Sequence, residues 1–296
     1  EDVVEFKKPS HSLEDVVGYD QLKGLIRKEL MPRFRSSDGS ALPGAAVCGP
    51  IGAGKTFIFE AVAAELDMVV LVLKSIRSKW FGETDVLLER LQRVLGALNK
   101  VVIFVDEADT QFGGVGAGTH DTERRLTGKI QAMMSDPKLR GRVIWLLMTA
   151  RIHLLSPDIR RPGRVGDLII PILDPEGEER EAFIHWMVQK VFGGEIDEGS
   201  MKSLMASTEG FSAASFASMR SELMAHATQG RLTLKRILEI AADHISPAIG
   251  DTRRYQTLQA LMNCTRRSLL PNPRTGEEER KKWVQELKRL EAQGVS

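Results

Sequence analysis

Five short runs of wholly apolar residues, set apart by amphipathic stretches, constrain this chain more than anything else in it. They are Ala45–Cys48, Met68–Leu73, Val101–Val105, Val143–Met148 and Leu168–Leu173. A strand that is apolar on both alternating faces must be covered on both, which is the situation of a parallel sheet under two helical layers. Between the runs, Thr84–Leu98 places Val86, Leu87, Leu91, Val94 and Leu95 toward one side of a helix. The expectation is an α/β fold: a three-layer αβα domain with a five-stranded parallel sheet over residues 13–173. Within it Leu13–Phe34 has helical spacing and is expected to end at Met31-Pro32, with a loop from Ser36 to Pro43. Residues 1–12 read as a polar arm.

After Asp174 the strands stop. Glu178–Phe192, Ser200–Ser207, Ser212–Thr228 and Thr233–His244 read as helices, several led by a capping Ser or Thr. A small all-helical unit is therefore expected over 174–246. A helical extension follows over 247–296, with stretches Thr252–Leu269 and Glu277–Gln293. Thr275 and Glu278 form a capping-box pattern before the last of these. Its Trp283, Leu287 and Leu290 share a face that suits a neighbouring subunit, a partner or the chain's own helices.

Directly after the first apolar run stands Gly49-Pro50-Ile51-Gly52-Ala53-Gly54-Lys55-Thr56, followed by a predicted helix from Phe57 to Leu66. A strand, a glycine-rich turn and a helix in this order make a phosphate cradle. Glycines let backbone N–H groups close around an anion, and the helix N-terminus adds partial positive charge. Lys55 would reach the outer phosphates and the Thr56 hydroxyl would ligate Mg²⁺. The third run ends in Asp106-Glu107. Carboxylates at the carboxyl end of a parallel strand suit metal binding by Asp106 and activation of water by Glu107.

Together these motifs resemble the AAA+ ATPases. Met148-Thr149-Ala150-Arg151 and Ser156-Pro157-Asp158-Ile159-Arg160-Arg161-Pro162-Gly163-Arg164 resemble that family's A-T-N-R-P…D-P-A-L-L-R-P-G-R stretch. Gly210-Phe211-Ser212 is similar to its lid element, and Lys79-Trp80-Phe81-Gly82 to the pore loop of katanin-like and spastin-like remodellers. The resemblance covers about Leu13–His244. It implies a P-loop domain, a helical lid and a homo-oligomeric ring, usually a hexamer, that binds ATP or ADP with Mg²⁺ and acts on a protein substrate. It implies nucleotide contacts from Gly49 through Phe57 and from Asp15, Val16, Val17 and His185. Arg161 and Arg164 match arginine fingers, and Lys79, Trp80 and Phe81 would grip a translocating chain. The Gly113–Gly118 stretch would be a second loop near the same axis.

The pattern breaks in three places. Ala150 stands where the family has a polar sensor, usually Asn, and loss of one positioning contact lowers a rate by roughly 10²-fold if nothing compensates. Thr149 is the candidate substitute. Ala213 replaces a lid glycine, and Val165-Gly166-Asp167 replaces the usual F-D-R.

Composition separates the alternatives. Of 296 residues, 41 are Lys or Arg and 40 Asp or Glu, a net charge of +1. That argues against a dedicated nucleic-acid binder, and so against a DNA-handling machine. A nucleotide-gated scaffold with little hydrolysis is the other alternative to a protein-remodelling motor. No apolar run reaches the roughly 18 residues of a membrane span. Two cysteines, Cys48 and Cys264, cannot make a disulfide framework, which points to a reducing compartment such as cytoplasm or an organelle matrix or stroma. A start at Glu1 reads as a trimmed fragment.

Overall fold

The computed structural model describes residues 4–73, 84–113 and 121–296. Among these, one sheet holds β1 (Val4–Lys7), β2 (Gly44–Cys48), β3 (Val69–Leu73), β4 (Val101–Val105), β5 (Val143–Thr149) and β6 (Ile169–Pro171). Their order across it is β1-β3-β4-β5-β2-β6. Strands β2 to β6 pair in parallel and coincide with the five apolar runs. β1 adds a sixth, antiparallel strand at the edge, Val4 lying opposite Leu73 and Lys7 opposite Val70. The polar arm expected over 1–12 therefore contains a strand. Four residues are too few for a period to register, and the strand exists because β3 offers it a ladder.

The first helical region also departs from expectation. A 3₁₀ turn at Leu13–Asp15 comes first, then Gly18 and Tyr19 reverse the chain at φ 67° and 55°. Helix α1 (Asp20–Leu25) leads through a π turn at Ile26–Leu30 into α2 (Met31–Arg35). The helix passes Pro32 rather than ending there. The π turn resets the hydrogen-bond pattern, so Pro32 falls in the first turn of α2, where a missing N–H is tolerated.

The remaining helices of this region are α3 (Lys55–Leu66), α4 (Thr84–Ala97), α5 (Ala108–Gln111) and α6 (Asp121–Met134). Alternate strand residues enter two cores. Val47, Val102, Phe104, Ile144 and Leu146 pack toward Phe59 and Val62 of α3. Ala46, Leu71, Ile103, Trp145 and Leu147 pack toward Leu91 and Leu95 of α4 and Ile130 of α6. On α4 the buried stripe is Leu88, Leu91 and Leu95, while Val86 is 47% exposed. At 100° per residue Val86 lies nearly opposite Leu88, so the stripe excludes it.

Four helices follow β6: α7 (Glu178–Val188), α8 (Glu198–Ser207), α9 (Ala213–His226) and α10 (Leu234–Asp243). Ser212 and Thr233 accept from the N–H groups of Ser215 and Arg236, capping α9 and α10. Asp197 caps α8, which starts earlier than Ser200 for that reason. Then come α11 (Gly250–Asn263) and α12 (Glu277–Ala292). The Thr275–Glu278 capping box does not form. The Thr275 hydroxyl donates instead to Asn272 O at 2.7 Å, and Gly276 precedes the helix. Trp283, Leu287 and Leu290 meet Tyr255, Leu258 and Leu261, so α11 of the same chain covers the apolar face of α12.

Trp145 is 1% exposed at the centre of the sheet. Trp145→Ala should lower the free energy of unfolding by about 3–5 kcal/mol. Equilibrium urea denaturation checks this, and a loss below about 1 kcal/mol would contradict a sealed second face.

Candidate functional site

Parallel strands bring their carboxyl ends to one edge of a sheet, where the following segments are free to bind ligands. Cys48 at the end of β2 lies level with Thr149 at the end of β5. On the other side of β5, Val105 of β4 lies level with Leu147. The turn 49–54, the pair Asp106-Glu107 and the pair Thr149-Ala150 therefore share that edge.

The phosphate-loop pattern is built as its residues require. Gly49 sits at φ 148°, and a Cβ there would fall 1.8 Å from Ile172 O. The loop runs into α3 at Lys55, and the first N–H groups of a helix have no carbonyl partner within it. The Lys55 ammonium donates to Gly49 O at 2.9 Å and Pro50 O at 3.0 Å. Burial pushes its pKa below that of an ordinary lysine. Thr56 is part-buried in the first turn. Phe57 is 46% exposed. His11 stacks on it with ring centroids 3.8 Å apart, its Nε2 2.7 Å from Phe57 O.

Glu107 adopts φ 46°, a left-handed conformation that costs a side-chain-bearing residue roughly 1–2 kcal/mol. Its N–H donates to Asp106 Oδ1 at 2.9 Å, and Gln111 Nε2 donates to Asp106 O at 3.1 Å. Both carboxylates are exposed. Strain of this kind persists where the surroundings over-determine it, and such positions cluster at active sites and ligand clamps.

Behind this pair lies a network that sequence reasoning missed. Asp109, buried, accepts the Thr149 hydroxyl at 2.5 Å and pairs with Arg151 at 2.7 Å. Arg151 N donates to Thr149 Oγ1 at 2.8 Å. The Thr149 side chain is thus engaged by Asp109 and Arg151. The available signal was a further carboxylate three residues after Asp106.

The residues expected beside a base are arranged less tightly. Asp15 accepts from Ser12 N at 2.9 Å, and Val16 O accepts from Lys23 Nζ at 2.8 Å. Val16 is buried, Val17 part-buried, and His185 is exposed on α7. Tyr19, another omission, donates to Leu173 O at 2.6 Å and meets Phe183 edge to face. Burial pushes its phenol pKa up, with help from Glu179 and Asp174. The helical unit reaches the loop where Ala214 N donates to Gly52 O at 3.0 Å.

Arg161 and Arg164 lie between β5 and β6. Arg161 pairs with Asp158 at 2.5 Å and its side chain is 61% exposed, while Arg164 donates to Ser135 Oγ. Their partners are not part of the phosphate loop. Lys79, Trp80 and Phe81 lie outside the described residues, as does 114–118.

The donors fit a magnesium-bound nucleoside phosphate. Mg²⁺ is held by one or two carboxylates, hydroxyls and substrate phosphates rather than by an all-protein cage. The Thr56 hydroxyl and Asp106 carboxylate supply such oxygens, and among the described residues no His, Cys, Asp and Glu cluster forms a cage.

Residues 45–171 match the family described as "ATPase family associated with various cellular activities (AAA)". The chain is 28% identical to the cell division cycle protein 48 homolog of Archaeoglobus fulgidus, over 86% of this chain and 36% of that protein. It is 27% identical to the meiotic spindle formation protein mei-1 of Caenorhabditis elegans, over 70% of this chain and 45% of that one. With the ATP-dependent zinc metalloprotease FtsH of Caulobacter vibrioides the identity is 28%, over 79% and 39%. The chain spans less than half the length of each of these relatives.

Lys55 provides a test of the cradle. Its lowered pKa means that it loses its proton at a lower pH than a free lysine, and a bound phosphate would raise that pKa again. Between the two values binding takes up a proton, so affinity falls as pH rises through that window. Calorimetric titration of ADP in buffers of different ionisation enthalpy should show uptake growing toward alkaline pH. The same uptake in Lys55→Met would contradict this.

Proposed function

Because residues 45–171 are an AAA ATPase domain, we propose that this chain hydrolyses ATP and, as one subunit of a homo-oligomeric ring, uses the cycle to remodel a protein substrate. The observation that carries the reading is the shared strand edge. Parallel register sets the glycine turn after β2 beside the strained Asp106-Glu107 turn after β4, with only β5 between.

In this reading the N–H groups from Gly52 to Thr56 and the Lys55 ammonium hold the β- and γ-phosphates. Asp15, Val16, Val17, Phe57 and His185 border the base and ribose. Thr56 and Asp106 hold Mg²⁺, which supplies positive charge against the phosphates. Glu107 orients and deprotonates the attacking water. Thr149 acts through Asp109, which fixes the segment after β5. Arg161 and Arg164 of an adjacent subunit approach the γ-phosphate, where a guanidinium neutralises developing charge. The contact of Ala214 with Gly52 supports a helical lid, residues 174–246, that closes on the bound nucleotide. Lys79, Trp80 and Phe81 would carry the motion to the client by broad contact with its side chains. Ring size and a pore at these residues rest on the family resemblance.

A second reading, the nucleotide-gated scaffold, is favoured by Ala150, which has no polar group to place beside the γ-phosphate. Steady-state ATPase against protein concentration decides between the two. The motor predicts cooperative onset of turnover with concentration. Glu107→Gln should lower kcat by about 10²-fold or more while nucleotide still binds. Mixing in Arg161→Ala subunits should poison wild-type neighbours. Tight ATP binding without turnover at any concentration would establish the scaffold, and a flat specific activity would remove the ring.

A further inference from the structure

Helix α11 lies beyond residues 45–171, yet it grips the phosphate loop. Gln256, only 4% exposed, accepts the N–H of Ile51 on its Oε1 at 3.0 Å. Arg253, one turn earlier, points three ways. Its Nε donates to Ile51 O at 3.1 Å, one terminal nitrogen to Gly210 O at 3.3 Å, and the other to Asp174 Oδ1 at 2.6 Å. Both polar backbone groups of Ile51 are thus held by one helix. The same guanidinium joins the loop to Asp174, where β6 hands over to α7, and to the turn before α9.

The arrangement is built rather than incidental. The side chains of Arg253 and Asp174 are 15% and 20% exposed. At its far end α11 is fixed to the sheet region, Arg160 donating to Asn263 Oδ1 at 3.1 Å and Ile169 N to Thr265 Oγ1 at 2.9 Å. Pro50 has no N–H, and the Ile51 N–H, expected from the family resemblance to contact nucleotide, is taken by Gln256 instead, which leaves the anion to the N–H groups from Gly52 to Thr56. Gln256 and Arg253 therefore brace the loop without competing for the anion.

We propose that Arg253 and Gln256 are positioning residues for the nucleotide: through them α11 sets the phosphate loop against the helical unit, so the C-terminal extension tunes nucleotide affinity. This rests on the ATPase reading. It goes beyond it by giving residues 250–263 a part in the cycle. Movement of Gly210 or Asp174 would be felt at Ile51 through a single planar side chain.

The test measures KM and kcat for ATP, ADP affinity by calorimetry, and the thermal unfolding midpoint. The proteins are wild type, Arg253→Ala, Arg253→Lys and Gln256→Ala. Arg253→Ala should raise KM and the ADP dissociation constant about tenfold, the factor one charge-assisted hydrogen bond is worth, with a smaller change in kcat. Arg253→Lys separates positioning from folding. A lysine keeps its partner Asp174 but cannot serve Ile51 O and Gly210 O as well, so it should unfold like wild type yet keep a raised KM. Gln256→Ala should raise KM without changing kcat, and if Arg253→Ala does not fold these two variants carry the test. Wild-type KM and ADP affinity in both would overturn the inference alone. Wild-type protein that neither binds nor hydrolyses ATP would overturn the ATPase reading, and this inference with it.

Discussion

The fit of β2 between β5 and β6 is the constraint on which the rest of the molecule depends. β2 is a strand of small residues, and glycine at each end lets its neighbours close in. A Cβ on Gly44 would lie 1.9 Å from Trp145 O, and one on Gly49 1.8 Å from Ile172 O. With β2 held in parallel register, the loop that follows must leave the sheet at the edge where β4 and β5 also end. The neighbours of the phosphate loop are then a consequence of strand pairing, and the side chains at that edge need only the right chemistry.

That chemistry is arranged in two depths. At the surface Asp106 and Glu107 stand open on a backbone turn that a relaxed chain would avoid. Beneath them Asp109, Thr149 and Arg151 form a polar cluster in which a buried carboxylate accepts a hydroxyl on one oxygen and faces a guanidinium with the other. A buried charge without partners would be costly, and paired it stiffens what surrounds it. The cluster ties α5 to the end of β5. The strained turn that precedes α5 therefore has a rigid floor.

Strands β2 to β6, the glycine loop and the acidic strand tip were legible because each is written in consecutive residues. A run such as Val101–Val105 can scarcely be anything but a buried strand, and Lys55-Thr56 after a glycine turn has few other uses. What sequence reasoning missed depends on partners far away in the chain. Val4–Lys7 is a strand only because β3 is there. Tyr19 matters because Leu173 O lies within reach, and Gln256 because Ile51 N, 205 residues earlier, needs an acceptor. Pro32 misled because a π turn upstream moved it to a harmless position. Thr275 and Glu278 fitted a capping pattern, but a nearer carbonyl claimed the hydroxyl.

The antiparallel edge strand has a consequence for colloidal behaviour. β3 reads Val69-Val70-Leu71-Val72-Leu73, with no charge and no proline to discourage pairing. Among the described residues only the short β1, moored by Lys7 to Glu60 of α3, occupies its open side. Were β1 to come away from β3, a bare apolar ladder would face the solvent, the kind of template on which chains stack into fibrils. Four residues at one margin of the sheet thus act as its selvedge, setting the charges of Glu5 and Lys7 along a border that would otherwise be wholly apolar.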